Sequence, residues 1–167
     1  MTEAADGRLA EVTIDTLEKL AFLFASPVEA APEVEESLLT TVQVEFAGAF
    51  AGGLEVSLSG PVLAELAANM LGAMDGEPLA PEDQLDALKE LANVVCGNML
   101  PALGGDEAEF SIRAPHPVPA ARPAWASPAA CCCLALDNGI CRVRMRVDAG
   151  AAPRSADGAA PGSAATR

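Results

Sequence analysis

Residues 81–100 read Pro81-Glu82-Asp83-Gln84-Leu85-Asp86-Ala87-Leu88-Lys89-Glu90-Leu91-Ala92-Asn93-Val94-Val95-Cys96-Gly97-Asn98-Met99-Leu100. At roughly 100° per residue, Leu85, Leu88, Leu91, Val95 and Met99 fall on one side of a helix. Asp86, Glu90, Asn93 and Gly97 gather in a narrow stripe on the other. Glu90 and Asn93 are three apart, so their side chains are neighbours on the wet face. Taken alone, Glu-x-x-Asn is an ordinary solvated surface. With a glycine one turn on, it is also a pair of groups that a rigid helix can present to a partner.

Upstream, Arg8 to Ala25 has Leu9, Val12, Leu17, Leu20 and Phe24 at helical spacing, and Phe22 and Leu23 extend the apolar surface to a second face. A deeply packed helix is expected there, ended by Ser26-Pro27. Thr40–Phe50 and Gly53–Ser59 alternate apolar and polar residues around Ala51-Gly52-Gly53, the pattern of an antiparallel hairpin. Ser59-Gly60-Pro61 carries helix-start signals, and the apolar stripe that follows runs through Met74 to a stop at Asp75-Gly76. Downstream, Pro101 should kink or end the quoted helix, with Gly104-Gly105 closing it.

Glu107–Arg113 reads as a strand. Residues 115–129 hold prolines at 115, 117, 119, 123 and 128, which predicts a loop that cannot sit inside a sheet. That loop also carries the sole tryptophan, Trp125. Cys131–Leu136 and Ile140–Val147 flank Asp137-Asn138-Gly139, a strong hairpin signal. In the last strand Arg142, Arg144 and Arg146 alternate with Val143, Met145 and Val147, so one face should be core and the other cationic and wet. The expected fold is α/β, α+β in type: a central antiparallel sheet with helices packed on it. One domain over 1–148 and a disordered tail over 149–167, rich in Ala, Gly, Pro and Ser, are expected.

The formal net charge is −14. Residues 1–105 hold eighteen acidic and three basic side chains, and 106–167 hold six and seven. Such a front argues against nucleic acid or an anionic membrane as partner; it would steer a partner with a basic rim, and simple solubility explains the excess equally well. The acidic N-terminus does not read as a signal peptide, and no apolar run is long enough to cross a membrane. Five cysteines, three of them consecutive, do not make a disulfide framework, so a reducing cytoplasm is the expected compartment. His116 lacks companions at metal-ligand spacing, and no phosphate loop or Ser-His-Asp set is present.

Residues 14–25 can be laid over 85–96, matching Asp15 to Asp86, Leu17 to Leu88, Leu20 to Leu91 and Ala21 to Ala92. Each of these helices is later followed by a strand hairpin. The pattern suggests pseudo-duplicated helix-plus-hairpin units. In the first unit Lys19 and Phe22 stand where the second has Glu90 and Asn93. Only one unit keeps the polar pair.

With Glu90-Leu-Ala-Asn93 and the trailing Gly97-Asn98 placed on such a helix, the chain from about Arg8 to Val147 resembles the CheC/CheX/FliY chemotaxis phosphatases, most of all the single-site CheX type. The long proline loop departs from the family in detail. The resemblance implies a cytoplasmic enzyme, in homodimers, that removes the phosphoryl group from the aspartate of a CheY-type response regulator. Glu90 and Asn93 would be catalytic, with Asp86, Gly97 and Asn98 bordering the partner. Asn93 can hold a water in line, because a carboxamide donates and accepts at once. By resemblance, Glu90 would pair with the regulator's lysine. No cofactor of its own is implied, and a divalent metal is expected on the regulator. The rival readings are a non-catalytic adaptor that binds a response regulator or a flagellar switch component, and a structural homodimer built on the sheet edge.

Overall fold

In the computed structural model, residues 3–30, 32–123 and 125–149 are described. The elements are helix α1 (Glu3–Ala21), strand β1 (Ser26–Pro27), a single 3-10 turn at Glu36–Leu38, β2 (Leu39–Gly48), β3 (Gly52–Ser59), α2 (Gly60–Leu71), α3 (Pro81–Gly104), β4 (Phe110–Ile112), β5 (His116–Val118), β6 (Ala130–Leu136) and β7 (Gly139–Val147). All strand pairings are antiparallel, in the order β1-β6-β7-β3-β2-β4, with β5 also on β2.

That order is a palindrome. If the unit α1-β1-β2-β3 is exchanged with α3-β4-β6-β7, the sheet reads the same from its other edge. The helices cross over accordingly: α1 packs on β6 of the second unit, and α3 packs on β2 of the first. The pseudo-duplication suggested by the helical echo is thus built into the sheet. Val42, Val44 and Phe46 on β2, Leu54, Val56 and Leu58 on β3, and Cys141, Val143 and Met145 on β7 form its apolar face, all at most 2% exposed. Leu9, Leu17, Leu66, Leu88, Leu91 and Met99 close on it from the helices and complete one core.

Several boundaries differ from the sequence reading. Helix α1 starts at Glu3 and ends at Ala21, four residues before the expected stop. Phe22 takes a left-handed conformation at φ +53°, which costs a bulky residue roughly 1–2 kcal/mol. The turn sends Phe22 and Phe24 to solvent and buries only Leu23, so the deep packing expected of Phe22 is not observed. Helix α2 ends at Leu71, where Gly72 adopts the left-handed cap at φ +65°, so Met74 lies outside the helix and is exposed. Ser59 does not cap α2; its hydroxyl accepts the Ile140 N–H at 2.9 Å instead. Helix α3 continues through Pro101 to Gly104. The strand expected over 107–113 shrinks to Phe110–Ile112. The 149–167 tail lies almost wholly outside the described residues.

The proline-rich segment corrects two expectations together. Its start, His116–Val118, does join the sheet, pairing with Thr41–Gln43 of β2. Pro117 is tolerated because β5 is a three-residue outer strand. The rest folds across the polar face. Arg122 donates to Gln43 at 2.8 Å and forms an ion pair with Glu55. Trp125 lies beside the guanidinium groups of Arg122 and Arg146, 5.6 and 5.2 Å from its ring centroid. Its ring edge is 3.4 Å from where a Cβ on Gly53 would stand. The face expected to be wet is therefore covered, and Gln43, Glu55 and Ser57 are buried at 6%, 5% and 3% exposure. A segment with few backbone N–H groups suits this position, since it brings few donors to the sheet that need partners.

Arg122→Ala removes the loop's cation from buried Glu55. A loss of about 2–3 kcal/mol is expected, less than for a fully enclosed pair because Arg144 stands opposite Glu55 in the register. Emission from Trp125, the only tryptophan, should shift to the red in a urea titration followed by fluorescence. An unchanged midpoint and spectrum would show that the pair does not hold the loop.

Candidate functional site

Helix α3 supplies a long rigid platform of 24 residues. Proline at its first position and Glu82 and Asp83 in its first turn suit a helix N-terminus, where the backbone dipole favours negative charge. Ala87, Leu88, Leu91, Ala92, Val95, Cys96, Met99 and Leu100 anchor it to the core. With that face fixed, the stripe opposite has one orientation. Asp86, Glu90 and Asn93 are exposed and Gly97 is half-buried. The periodicity and the structure agree on this face.

Asp86 is engaged by Lys89 at 3.6 Å. Among the described residues, Glu90 and Asn93 have no side-chain hydrogen bond or ion pair. At the far end of the stripe, Ile112 on β4 approaches Gly97, its Cδ1 3.9 Å from where a Cβ would be. Pro101, one turn on, has no N–H to give the Gly97 carbonyl, so the normal helical bond there is missing.

Asn98 does not join the stripe. It lies in the groove between α3 and α1, with Arg8, Val12, Asp15, Lys19 and Val94. Five positions from Asn93 is about 140° around a helix, so adjacency to Gly97 in the chain does not place it on the same face. The equivalent surface of α1 differs in kind. Lys19 is tied to Asp15 at 2.8 Å, and Phe22, in register with Asn93, has already left the helix.

The cysteines lie apart from the stripe. All five are free thiols. Burial pushes Cys96, on the core side of α3, up to about 12. Cys132 also rises to about 12, chiefly by burial. Cys133 and Cys141 are buried too, whereas Cys131 is exposed. His116 is exposed at the start of β5. Among the described residues, no three His, Cys, Asp or Glu side chains gather as a metal site would need.

The stripe is open to solvent, with a shallow groove at its Glu90 end. Among the described residues, no nucleophile is hydrogen-bonded to a base along it. An exposed carboxylate and carboxamide cannot exclude water or stabilise developing charge by themselves. They can complete a site that another protein brings.

Residues 40–137, more than half of the chain, match the family model of the chemotaxis phosphatase CheX. This chain belongs to the CheX family. A comparison with curated protein sequences found no match. Among solved structures, the chain is similar to CheX from Desulfovibrio desulfuricans at 18% identity and a TM-score of 0.66, covering 87% of this chain and 99% of that one. It is similar to CheX from Vibrio vulnificus at 16% identity and a TM-score of 0.68, covering 88% and 97%. It also resembles the CheX of a CheX–CheY–BeF3–Mg complex from Borrelia burgdorferi, at 13% identity and a TM-score of 0.61, covering 84% and 96%. These likenesses establish the CheC-like fold, a mixed α/β architecture around a central antiparallel sheet. Within this CheX-family chain, Glu90 and Asn93 occupy the exposed ridge of the helix that the second unit contributes. Ile112 escapes any reading of the helix alone, because its approach to Gly97 depends on the docking of β4 against β2.

Proposed function

We propose that this protein hydrolyses the phospho-aspartate of a CheY-type response regulator by inserting the exposed ridge of α3 into the regulator's active site. The observation that carries the reading is the pairing of Glu90 and Asn93: both exposed, both without side-chain partners among the described residues, and both on a core-anchored helix of a CheX-family chain. Asn93 orients a water in line with the phosphorus. The water oxygen bonds to phosphorus as the bond from phosphorus to the aspartyl oxygen breaks. Inorganic phosphate and the free carboxylate of the regulator result. A divalent metal, expected on the regulator, would supply charge neutralisation there. Glu90 pairs with a lysine of the regulator, which docks the ridge and draws that cation from the phosphoryl group. Such transfer needs positioning and electrostatics more than covalent chemistry from the enzyme.

Asp86 and Gly97 border the docked partner, Asp86 as part of the acidic approach and Gly97 by letting backbone come close. Asn98 serves the α1 side of the helix and lies outside the contact. The protein works in the cytoplasm as a homodimer, through a surface other than the sheet face that the proline-rich segment covers.

The test is the decay of a phosphorylated CheY-type regulator with and without this protein. Glu90→Ala should raise the regulator concentration giving half the maximal rate by about tenfold, as expected for loss of a charge pair at the centre of an interface. Faster decay with wild type and an unchanged half-saturation with Glu90→Ala would remove Glu90 from the mechanism. Binding without any acceleration by wild type would make the protein an adaptor.

A further inference from the structure

A polar ridge by itself makes a poor docking surface. The segment from Glu90 to Gly97 spans about 10 Å of helix and carries no large apolar side chain outward. Interfaces of measurable affinity are usually anchored by side chains that lose water on contact. The structure places an apolar shoulder at each end of this ridge. At the Glu90 end, Met70 and Leu71 from the end of α2 form a groove with Ala87, walled by Asp83, Asp86 and Glu90. Leu71 is 57% exposed there. At the Gly97 end stands Ile112, 37% exposed. Neither residue packs into the core cluster, and each lies against the ridge, Leu71 in the groove with Glu90 and Ile112 beside Gly97, where an apolar side chain can lose water to a partner that meets the ridge.

We infer that Leu71 and Ile112 are the two apolar anchors that seat the response regulator on α3, and that the Leu71 groove accepts an apolar side chain ringed by lysine or arginine. This rests on the reading of Glu90 and Asn93 given above. Charge decides the occupant. Three carboxylates surround the apolar floor; Lys89 offsets Asp86, which leaves Asp83 and Glu90 without an ion pair among the described residues. A segment bearing acidic residues would be repelled, whereas a receiver-domain face with a basic rim is drawn in. The anchors act on binding, and Asn93 acts on the chemical step.

The experiment measures binding of the full chain to CheY-type receiver domains charged with beryllium fluoride and Mg2+, by calorimetry, alongside the phosphate-release rate at saturation. Leu71→Ser and Ile112→Ser should each raise Kd by about tenfold with the saturated rate unchanged, in keeping with the burial of one aliphatic side chain. Leu71→Lys should weaken binding further, because it sets a cation against the basic rim. Thermal midpoints close to wild type are expected, since both side chains are exposed. Binding of both serine variants at wild-type Kd would overturn the anchors while leaving the phosphatase reading intact. A wild-type chain that binds no charged receiver domain would overturn both.

Discussion

Asn93→Ala should lower the rate of regulator dephosphorylation at saturation by about 10²–10³-fold, the scale on which losing a positioning group acts. Its affinity for the beryllium-fluoride-charged regulator should stay within about twofold of wild type. The asymmetry follows from the position of the residue. Asn93 is exposed, it holds no other part of the protein among the described residues, and its loss opens no cavity. Thermal stability should therefore be unchanged, which separates a catalytic effect from a folding one. Asn93→Asp is the sharper control. It keeps the shape but replaces two N–H donors with a carboxylate beside a phosphoryl group, so it should fail as completely as alanine. Single-turnover measurement, with this protein in excess over the phosphorylated regulator and the regulator's own decay subtracted, reads the chemical step directly. Wild-type rates from either variant would end the role assigned to Asn93.

Leu91→Ala, two residues away, should do the reverse. Leu91 is fully buried, on the side of α3 that meets the core formed by β2 and β3. Truncating such a leucine costs about 3–5 kcal/mol, the transfer term plus the cavity left behind. For a chain of this size that corresponds to a fall in Tm of roughly 6–20 °C. Urea unfolding followed by circular dichroism would measure it. At temperatures where the variant is still folded, its rate per folded molecule should remain close to wild type, because Glu90 and Asn93 still share one helix face. A loss smaller than about 1 kcal/mol would mean that α3 is not anchored as described, and the rigid ridge with it.

The parts of the molecule that sequence reveals are those with a long period. Helix α3 has five apolar positions in step, and β2, β3 and β7 each alternate over at least five residues, so their inner and outer faces could be assigned before any coordinates. Strands β1, β4 and β5 span two or three residues, too few to show a period. They exist because a neighbouring edge offers them partners. The end of α1 was hidden for a different reason: the apolar spacing runs on through Phe24, while the backbone turns left-handed at Phe22. For the site, Glu90 and Asn93 were legible because a single helix sets their relation. Asn98 lies on a different face from that stripe, because neighbours in sequence need not share a helix face. Leu71 and Ile112 were not legible at all, since α2 and β4 reach the ridge only through the tertiary fold. The cover over the polar sheet face was equally invisible. Nothing in the spacing of Arg122 and Trp125 connects them to Glu55 and Gly53, about seventy residues earlier.

The palindromic sheet also bears on how the chain assembles. Its two hairpins, β2-β3 and β6-β7, close over short turns and can form within their own halves. The seam between them is another matter: β3 meets β7 from Gly52 against Val147 to Leu58 against Cys141, joining residues more than eighty apart. Closing so long a stretch of chain is entropically slow. The ridge of α3 lies within that span in sequence, but the helix gets its footing from β2 and β3, on one side of the seam. A half-made molecule, with both hairpins formed and the seam open, would already offer β2 and β3 as backing for the helix that carries Glu90 and Asn93, so the ridge does not wait for the slow step, whereas the seat of α1 on β6 does.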